Sequence, residues 1–130
     1  MSEVGIIIGS KSDMETMNHC VDTLEKLDIS YDLIVKSAHR DPHGVREWVE
    51  QAEILGNRVI IAAAGMSAAL PGVVASLTKL PVIGVPMSSE LNGWDSLLSI
   101  SQMPSGVPVA CMSIGKAGAI NAALFASKLL

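Results

Sequence analysis

Charged residues are scarce in this sequence, and their scarcity argues against some classes of binding partner. The chain has 130 residues with 9 Lys and Arg against 13 Asp and Glu, a net charge of −4, and only 17% of its residues are charged. An ordinary soluble domain has roughly 25%. The sequence contains no basic run, and it has too few aromatic residues to stack on bases. We therefore expect no nucleic-acid partner.

Long hydrophobic runs are also missing. The longest apolar stretch, Val59–Ala64, is far shorter than the roughly 20 residues that span a bilayer. The first three residues include no basic side chain ahead of the apolar run that follows, which is not typical of a secretory signal. These features predict no membrane association and a cytoplasmic location.

Cysteine is rare as well. Cys20 and Cys111 stand far apart and fit no metal-binding or redox spacing, so we interpret them as buried, reduced thiols.

Aliphatic residues are what the sequence has in abundance. The apolar fraction is 49% even without the 11 glycines, while aromatic residues make up only 3%. Such hydrophobicity excludes disorder. A domain of this size must nevertheless cover a large surface with polar groups. Because few are available, we predict a homo-oligomer whose interfaces cover part of the surface.

Short β-branched runs alternate with segments of helical period. The predicted strands are Val4–Ile8, Tyr31–Val35, 59–63, 81–85 and 107–111. Two helices lie between the first three strands, and three more are predicted over 70–78, 94–102 and Lys116–Leu129. Most strands are apolar without alternation, so both faces of the sheet should be covered. This order predicts an α/β fold in a single domain, residues 1–130, with a doubly wound parallel sheet in three layers.

Two helix starts have recognisable signals. Ser12 with Glu15 is a candidate capping box for the first helix. Asp41 followed by Pro42 predicts an N-cap with proline in the first turn of the second helix. Ligands of doubly wound folds bind beyond the carboxyl ends of the strands, so functional residues are expected in the loops that follow each strand.

The loop after the first strand reads Gly9-Ser10-Lys11-Ser12-Asp13. Glycine allows close approach of the backbone to a ligand, and a helix start can hold a phosphate. The serines add hydroxyl donors and Asp13 can accept bonds from a ribose, although helix capping alone would also account for these residues. The loop lacks the Walker pattern and the three-glycine dinucleotide pattern, which argues against ATP and NAD.

The later loops carry a histidine, an arginine and many small residues. His39 can move protons near neutral pH, and Arg40 can hold a phosphate or carboxylate. His19 and His43 are weaker candidates, and we expect His19 to be exposed to solvent. The segment 62–72 is built almost wholly of small residues, which suits a ligand site or tight packing equally well.

Together these segments resemble a known family. Six of them occur in the same order in the N5-carboxyaminoimidazole ribonucleotide mutases of purine biosynthesis: residues 9–13, 37–40, 70–72, 81–86, 95–100 and 102–104. The resemblance covers essentially the whole chain. It implies a flavodoxin-like fold, a homo-octamer with active sites at subunit boundaries, a ribonucleotide and carbon dioxide as small-molecule partners, and no metal, biotin, ATP or other cofactor.

The resemblance also implies roles for individual residues. His39 would be the catalytic acid and base, while Ser10, Asp13 and Arg40 would bind the ribonucleotide. The loops 65–72 and 88–92 would line the pocket. The remaining substrate-binding residues predicted on this basis are Ser37, Ala38, Gly65, Met66, Ser67, Ala69 and Leu70.

One segment departs from the family pattern. The mutases usually carry Gly-Gly-Ala-Ala-His-Leu-Pro-Gly, whereas this chain has Gly65-Met66-Ser67-Ala68-Ala69-Leu70-Pro71-Gly72, so the histidine is replaced by Ala69. Ser67 and Ala69 look more like a sister class that carboxylates aminoimidazole ribonucleotide directly, although that class tends to have lysine where Arg40 stands. Direct carboxylation and an inactive flavodoxin-like nucleotide-binding module therefore remain alternatives to the mutase.

A signalling receiver and a flavin carrier are less favoured. The first and third strands lack the acidic residues that a receiver needs. Few aromatic residues are available to stack on a flavin.

Overall fold

The computed structural model describes residues 2–130. Its strands are β1 (Val4–Ile8), β2 (Tyr31–Val35), β3 (Val59–Ala64), β4 (Val82–Pro86) and β5 (Ala110–Cys111). Its α-helices are α1 (Met14–Lys26), α2 (Pro42–Ile54), α3 (Leu70–Leu77), α4 (Trp94–Ser101) and α5 (Lys116–Leu129), and a short 3-10 turn (Lys11–Asp13) precedes α1.

The five strands form one parallel sheet in the order β2-β1-β3-β4-β5. This is the flavodoxin-like order, in which the direction of chain progression reverses between β1 and β3. The predicted α/β class, the doubly wound parallel sheet and the flavodoxin-like topology are confirmed. The order places the ligand-binding crevice of such folds beside the ends of β1 and β3.

Helices cover both faces of the sheet. On one face, α1 and α5 pack against alternate strand residues through side chains such as Met17, Leu24 and Ala122. On the other face, α2, α3 and α4 pack through side chains such as Val49 and Val74. The central strands β1, β3 and β4 are buried because both of their faces are covered, which explains their apolar sequences, whereas the edge strands β2 and β5 are half-buried.

The last strand is shorter than predicted. Residues 107–111 were expected to form it, but only Ala110 and Cys111 pair with β4. Pro108 has no N–H to donate to a ladder, and the N–H of Val107 instead donates to the carbonyl of Pro104 at 3.2 Å.

The cap at the start of α1 also differs from the prediction. Ser10 caps the preceding 3-10 turn, and its Oγ accepts from the N–H of Ser12 at 3.3 Å. Asp13 occupies the N-cap position of α1 without a side-chain cap bond. The capping box predicted for Ser12 is therefore wrong, because the 3-10 turn delays the helix. The cap predicted at Asp41 is confirmed, since its Oδ1 accepts from the N–H of Gly44 at 3.0 Å.

The structure also tests the predictions made for the two cysteines, for His19 and for membrane-spanning segments. Cys20 is buried and free, whereas Cys111 is free but only half-buried. Burial raises the pKa of the Cys20 thiol to about 12. His19 is half-buried on α1 rather than fully exposed, so that prediction is wrong in degree. Across residues 2–130, no helix is both long enough and apolar enough to span a membrane.

Candidate active site

A cleft of about 530 Å³ opens at the carboxyl edge of the sheet. Four chain segments form it, each directly following one of the strands β1 to β4. All the residues individually predicted to be catalytic or substrate-binding line this cleft: Ser10, Asp13, Ser37, Ala38, His39, Arg40, Gly65, Met66, Ser67, Ala69 and Leu70. Of the predicted lining loop 65–72, Pro71 and Gly72 lie outside it. The topology thus brings together loops that are far apart in the sequence.

The loop after β1 brings three polar side chains to the cleft. The hydroxyls of Ser10 and Ser12 lie 2.9 Å apart and share a hydrogen bond. Asp13 is half-buried, and desolvation raises the pKa of its carboxyl. A carboxylate in this position is poorly hydrated, so it favours a ligand that donates hydrogen bonds to it.

The loop after β2 is fixed by its own backbone. The N–H of Arg40 donates to Ser37 Oγ at 3.2 Å, and the N–H of Asp41 donates to the Ser37 carbonyl at 2.8 Å. His39 and Arg40 are exposed at the cleft. Their side chains make no hydrogen bond or ion pair with any of residues 2–130. These bonds fix the backbone of the loop, while the imidazole of His39 and the guanidinium of Arg40 remain available to a ligand.

The loop after β3 has small residues and tight turns. The N–H of Ala68 donates to the carbonyl of Met66 at 2.8 Å, and the N–H of Ala69 donates to that of Ser67 at 2.7 Å. A Cβ at Gly65 would lie 3.3 Å from Met87 Cβ, so the backbone passes close to the segment after β4. This wall of the cleft presents backbone and methyl groups more than long side chains.

Comparison with known proteins shows to which family this arrangement belongs. The AIR carboxylase family model matches residues 3–130. The chain belongs to the AIR carboxylase family. It is similar to the N5-carboxyaminoimidazole ribonucleotide mutase of Bacillus subtilis, with 59% identity over 98% of this chain and 79% of that protein. It is 55% identical to the mutase of Saccharolobus solfataricus over 100% of this chain and 82% of that protein.

A solved structure agrees with the sequence comparisons. The crystal structure of PurE from Treponema denticola superposes with a TM-score of 0.86 and 32% identity, covering 96% of this chain and 77% of that one. The family resemblance deduced from the six motifs is thereby confirmed.

The cleft of this AIR carboxylase family member includes residues that the sequence did not single out. Ala64 ends β3 and Met87 follows β4, and both line the cleft beside Ser88 and Ser89. Ala64 belongs to the small-residue segment 62–72, and the two serines belong to the predicted loop 88–92, whereas the only sequence signal of Met87 is its position at a strand end. The rest of the segment 88–92 lies outside the cleft lining, as does His43. Within residues 2–130, no group of three or more His, Cys, Asp and Glu side chains is placed to hold a metal ion.

Proposed function

We propose that this chain is an N5-carboxyaminoimidazole ribonucleotide mutase of purine biosynthesis. It interconverts the N5-carbamate of aminoimidazole ribonucleotide and the isomer that carries the carboxylate on the imidazole carbon. The observation that carries this proposal is the arrangement of His39 and Arg40 around a small-residue cleft in a chain that is 59% identical to a curated mutase over nearly its full length.

The polar rim of the cleft suits a nucleotide. Arg40 supplies a free guanidinium that can bind a phosphate through two parallel hydrogen bonds, and the hydroxyl of Ser10, which lines the same cleft, is a further donor. Asp13 would accept from ribose hydroxyls, which its dehydrated position favours. In this assignment, the backbone and the side chains of Ser37, Ala38 and Leu70 flank the base.

The reaction is a transfer of the carboxyl group within the bound substrate. The bond between the exocyclic nitrogen and the carbamate carbon breaks, its electron pair goes to that nitrogen, and the nitrogen takes up a proton from the protonated imidazole of His39 as carbon dioxide forms. The electron-rich imidazole carbon then attacks carbon dioxide, and a new carbon–carbon bond forms. His39 removes the proton from that carbon and restores aromaticity, so protons balance over the cycle.

Proximity supplies much of the acceleration in this scheme. Both fragments stay in the cleft, so recapture of carbon dioxide is effectively intramolecular and avoids an entropy cost of several kcal/mol. Proton transfer by a positioned imidazole adds roughly 10²–10⁴-fold. Ala69 cannot titrate, so His39 is the one imidazole among the described residues that line the cleft.

We also infer a homo-octamer located in the cytoplasm. Trp94 and Leu98 on α4 are 63% and 53% exposed in the single chain, and large apolar side chains of this kind are typical of subunit interfaces. Size-exclusion chromatography with light scattering measures the assembly directly.

A second candidate reaction is direct carboxylation of aminoimidazole ribonucleotide by carbon dioxide. Ser67 and Ala69 in the cleft favour it, because they match the sister class. Assays with each substrate supplied separately distinguish the two reactions. The mutase should convert the carbamate rapidly and should use aminoimidazole ribonucleotide with bicarbonate only poorly. The opposite preference would establish direct carboxylation, and nucleotide binding without turnover of either substrate would establish an inactive binding module.

A further inference from the structure

Met66 has a backbone conformation that is unfavourable for its side chain. Its φ is +57°, in the left-handed region. The other non-glycine residues of 2–130 in this region are Asp28 and Asn92, which are types that tolerate it because short polar side chains can bond locally. Methionine has no such compensation, and non-glycine residues held in this region cluster at ligand sites.

The side chain of Met66 is also unusual for its exposure. It is 62% exposed although it lines the cleft. The other long apolar side chains of the cleft lining, Leu70 and Met87, are almost fully buried in the core. Met66 is therefore the only long apolar side chain of the described lining that is free to change its position over the cleft.

The backbone around Met66 is held while its side chain is not. Its carbonyl accepts from the N–H of Ala68 at 2.8 Å, and the next turn is closed by the bond from Ala69 to Ser67 at 2.7 Å. These bonds fix the backbone at Met66 and therefore the position of its Cβ atom. Its three rotatable bonds and soft sulfur allow it to follow the shape of whatever lies beneath, and its neighbours at Gly65 and Ala68 are too small to do so.

We propose that Met66 covers the carbon dioxide formed during the reaction and keeps it in the cleft until the imidazole carbon attacks. This inference rests on the proposed mutase function. Carbon dioxide is uncharged, so neither the guanidinium of Arg40 nor the carboxylate of Asp13 can retain it by charge. An apolar side chain over the cleft retains it by closing its way out and by keeping water away from the reacting atoms.

The test follows the carboxyl carbon through one turnover. The carbamate is prepared with ¹³C in its carboxyl group and is converted in unlabelled bicarbonate, with carbonic anhydrase present to exchange any escaped carbon dioxide. The wild-type product should keep most of the label. Met66→Ala should lose label several-fold more often, while Met66→Leu should retain it. Ile54→Ala, which truncates an exposed apolar residue that does not line the cleft, is the matched control and should behave as wild type.

The possible results separate this inference from the proposed function. If Met66→Ala converts the carbamate and keeps the label as well as wild type does, Met66 does not retain carbon dioxide, although the mutase function stands. If the wild type converts the carbamate but its product has fully lost the label, carbon dioxide is not retained and the inference fails alone. If the wild type forms no product from the carbamate, both proposals fail.

Thermal unfolding provides a second and independent measurement. Glycine adopts a positive φ without cost, so Met66→Gly should have an unchanged or higher Tm if the side chain does not stabilise the fold. A clear fall in Tm, of the size seen for truncation in the core, would assign Met66 a packing role instead and overturn the proposal.

Discussion

The two edges of the sheet use their polar side chains in opposite ways. At the amino edge, Asn57 is buried, and its Nδ2 donates to the carbonyl of Ser2 at 2.8 Å and to Asp32 Oδ1 at 3.1 Å. Nearby, Glu53 Oε1 accepts from the hydroxyl of Thr78 at 2.7 Å. Each of these groups joins two segments of the chain to one another.

At the carboxyl edge the polar side chains are mostly uncommitted. His39 and Arg40 have no side-chain partner within residues 2–130, and the carboxyl of Asp13 is partly dehydrated with no bond to compensate it. Exposed or unsatisfied polar groups add little to stability. The comparison suggests that the amino edge holds the fold together and that the carboxyl edge is kept free for a ligand. If so, substitutions at the two edges should separate catalysis from stability.

The largest effect is expected for His39→Asn. The loss of a positioned proton carrier should lower kcat by roughly 10²–10⁴-fold and leave nucleotide affinity and Tm nearly unchanged. Steady-state kinetics and calorimetric titration with the product nucleotide measure both quantities. His43→Asn is the matched control, because His43 is exposed outside the cleft lining, and it should retain full activity. A fully active His39→Asn enzyme would contradict the mechanism.

Arg40→Gln should mainly weaken nucleotide binding. A hydrogen bond to a charged group is worth about 1.5–3 kcal/mol, so Kd should rise roughly ten- to a hundredfold. Arg46→Gln, at an exposed pair with Glu50 on α2, should leave Kd unchanged. If both variants bind the product nucleotide as tightly as wild type, Arg40 is not a phosphate ligand.

Asn57→Ala tests the opposite edge. Removing the amide breaks two bonds and leaves the carbonyl of Ser2 unsatisfied, which should lower the free energy of unfolding by about 1–3 kcal/mol. Activity per folded molecule should not change. Asn121→Ala, at an exposed position on α5, should alter stability by less than about 0.5 kcal/mol. Denaturant titration gives both values, and equal stabilities would show that the amino edge has no such role.

The smallest effect is expected for Asp13→Asn, which should change how the stability of the protein depends on pH. Burial raises its pKa in the folded state, so the folded protein binds this proton more tightly than the unfolded chain does. Stability from this group is therefore present at low pH and is lost as pH rises through the raised pKa. Asp13→Asn should stabilise the protein at neutral pH, with the gain disappearing below the ordinary aspartate pKa, while nucleotide affinity falls.

The control for Asp13 is Glu47→Gln, at an exposed position on α2. It should leave the free energy of unfolding unchanged at both pH values. If Asp13→Asn destabilises the protein at neutral pH, the carboxyl contributes to the fold and the contrast between the two edges is lost.

Much of the fold followed from local sequence patterns. The short β-branched runs predicted β1 and β2 with their observed bounds, and the alternation of strands with helices predicted the doubly wound sheet. Two wrong predictions, the length of β5 and the cap of α1, concern features that depend on neighbouring parts of the structure. Whether residues 107–109 pair with β4 depends on their contacts at the edge of the sheet. The cap of α1 depends on the 3-10 turn before it, and no residue of the loop is a sequence signal for that turn.

The site was predictable to a similar extent. The cleft gathers the predicted residues because parallel strands bring their carboxyl ends to one edge. Met87 was not assigned to the cleft, and Ala64 only as part of the ambiguous segment 62–72, because an apolar residue at a strand end has the same sequence signal whether it faces a cleft or the core. The strained φ of Met66 was not predictable either, because the sequence shows a methionine and the backbone conformation is set by its surroundings. The octameric assembly stays a prediction.

A crystal structure with the carboxylated product nucleotide tests the central claim most directly. The account predicts the phosphate beside Ser10 and Arg40, the ribose hydroxyls on Asp13, and the carboxylate on the imidazole ring within hydrogen-bonding distance of His39. A nucleotide bound outside the cleft, or one whose carboxylate points away from His39, would contradict it.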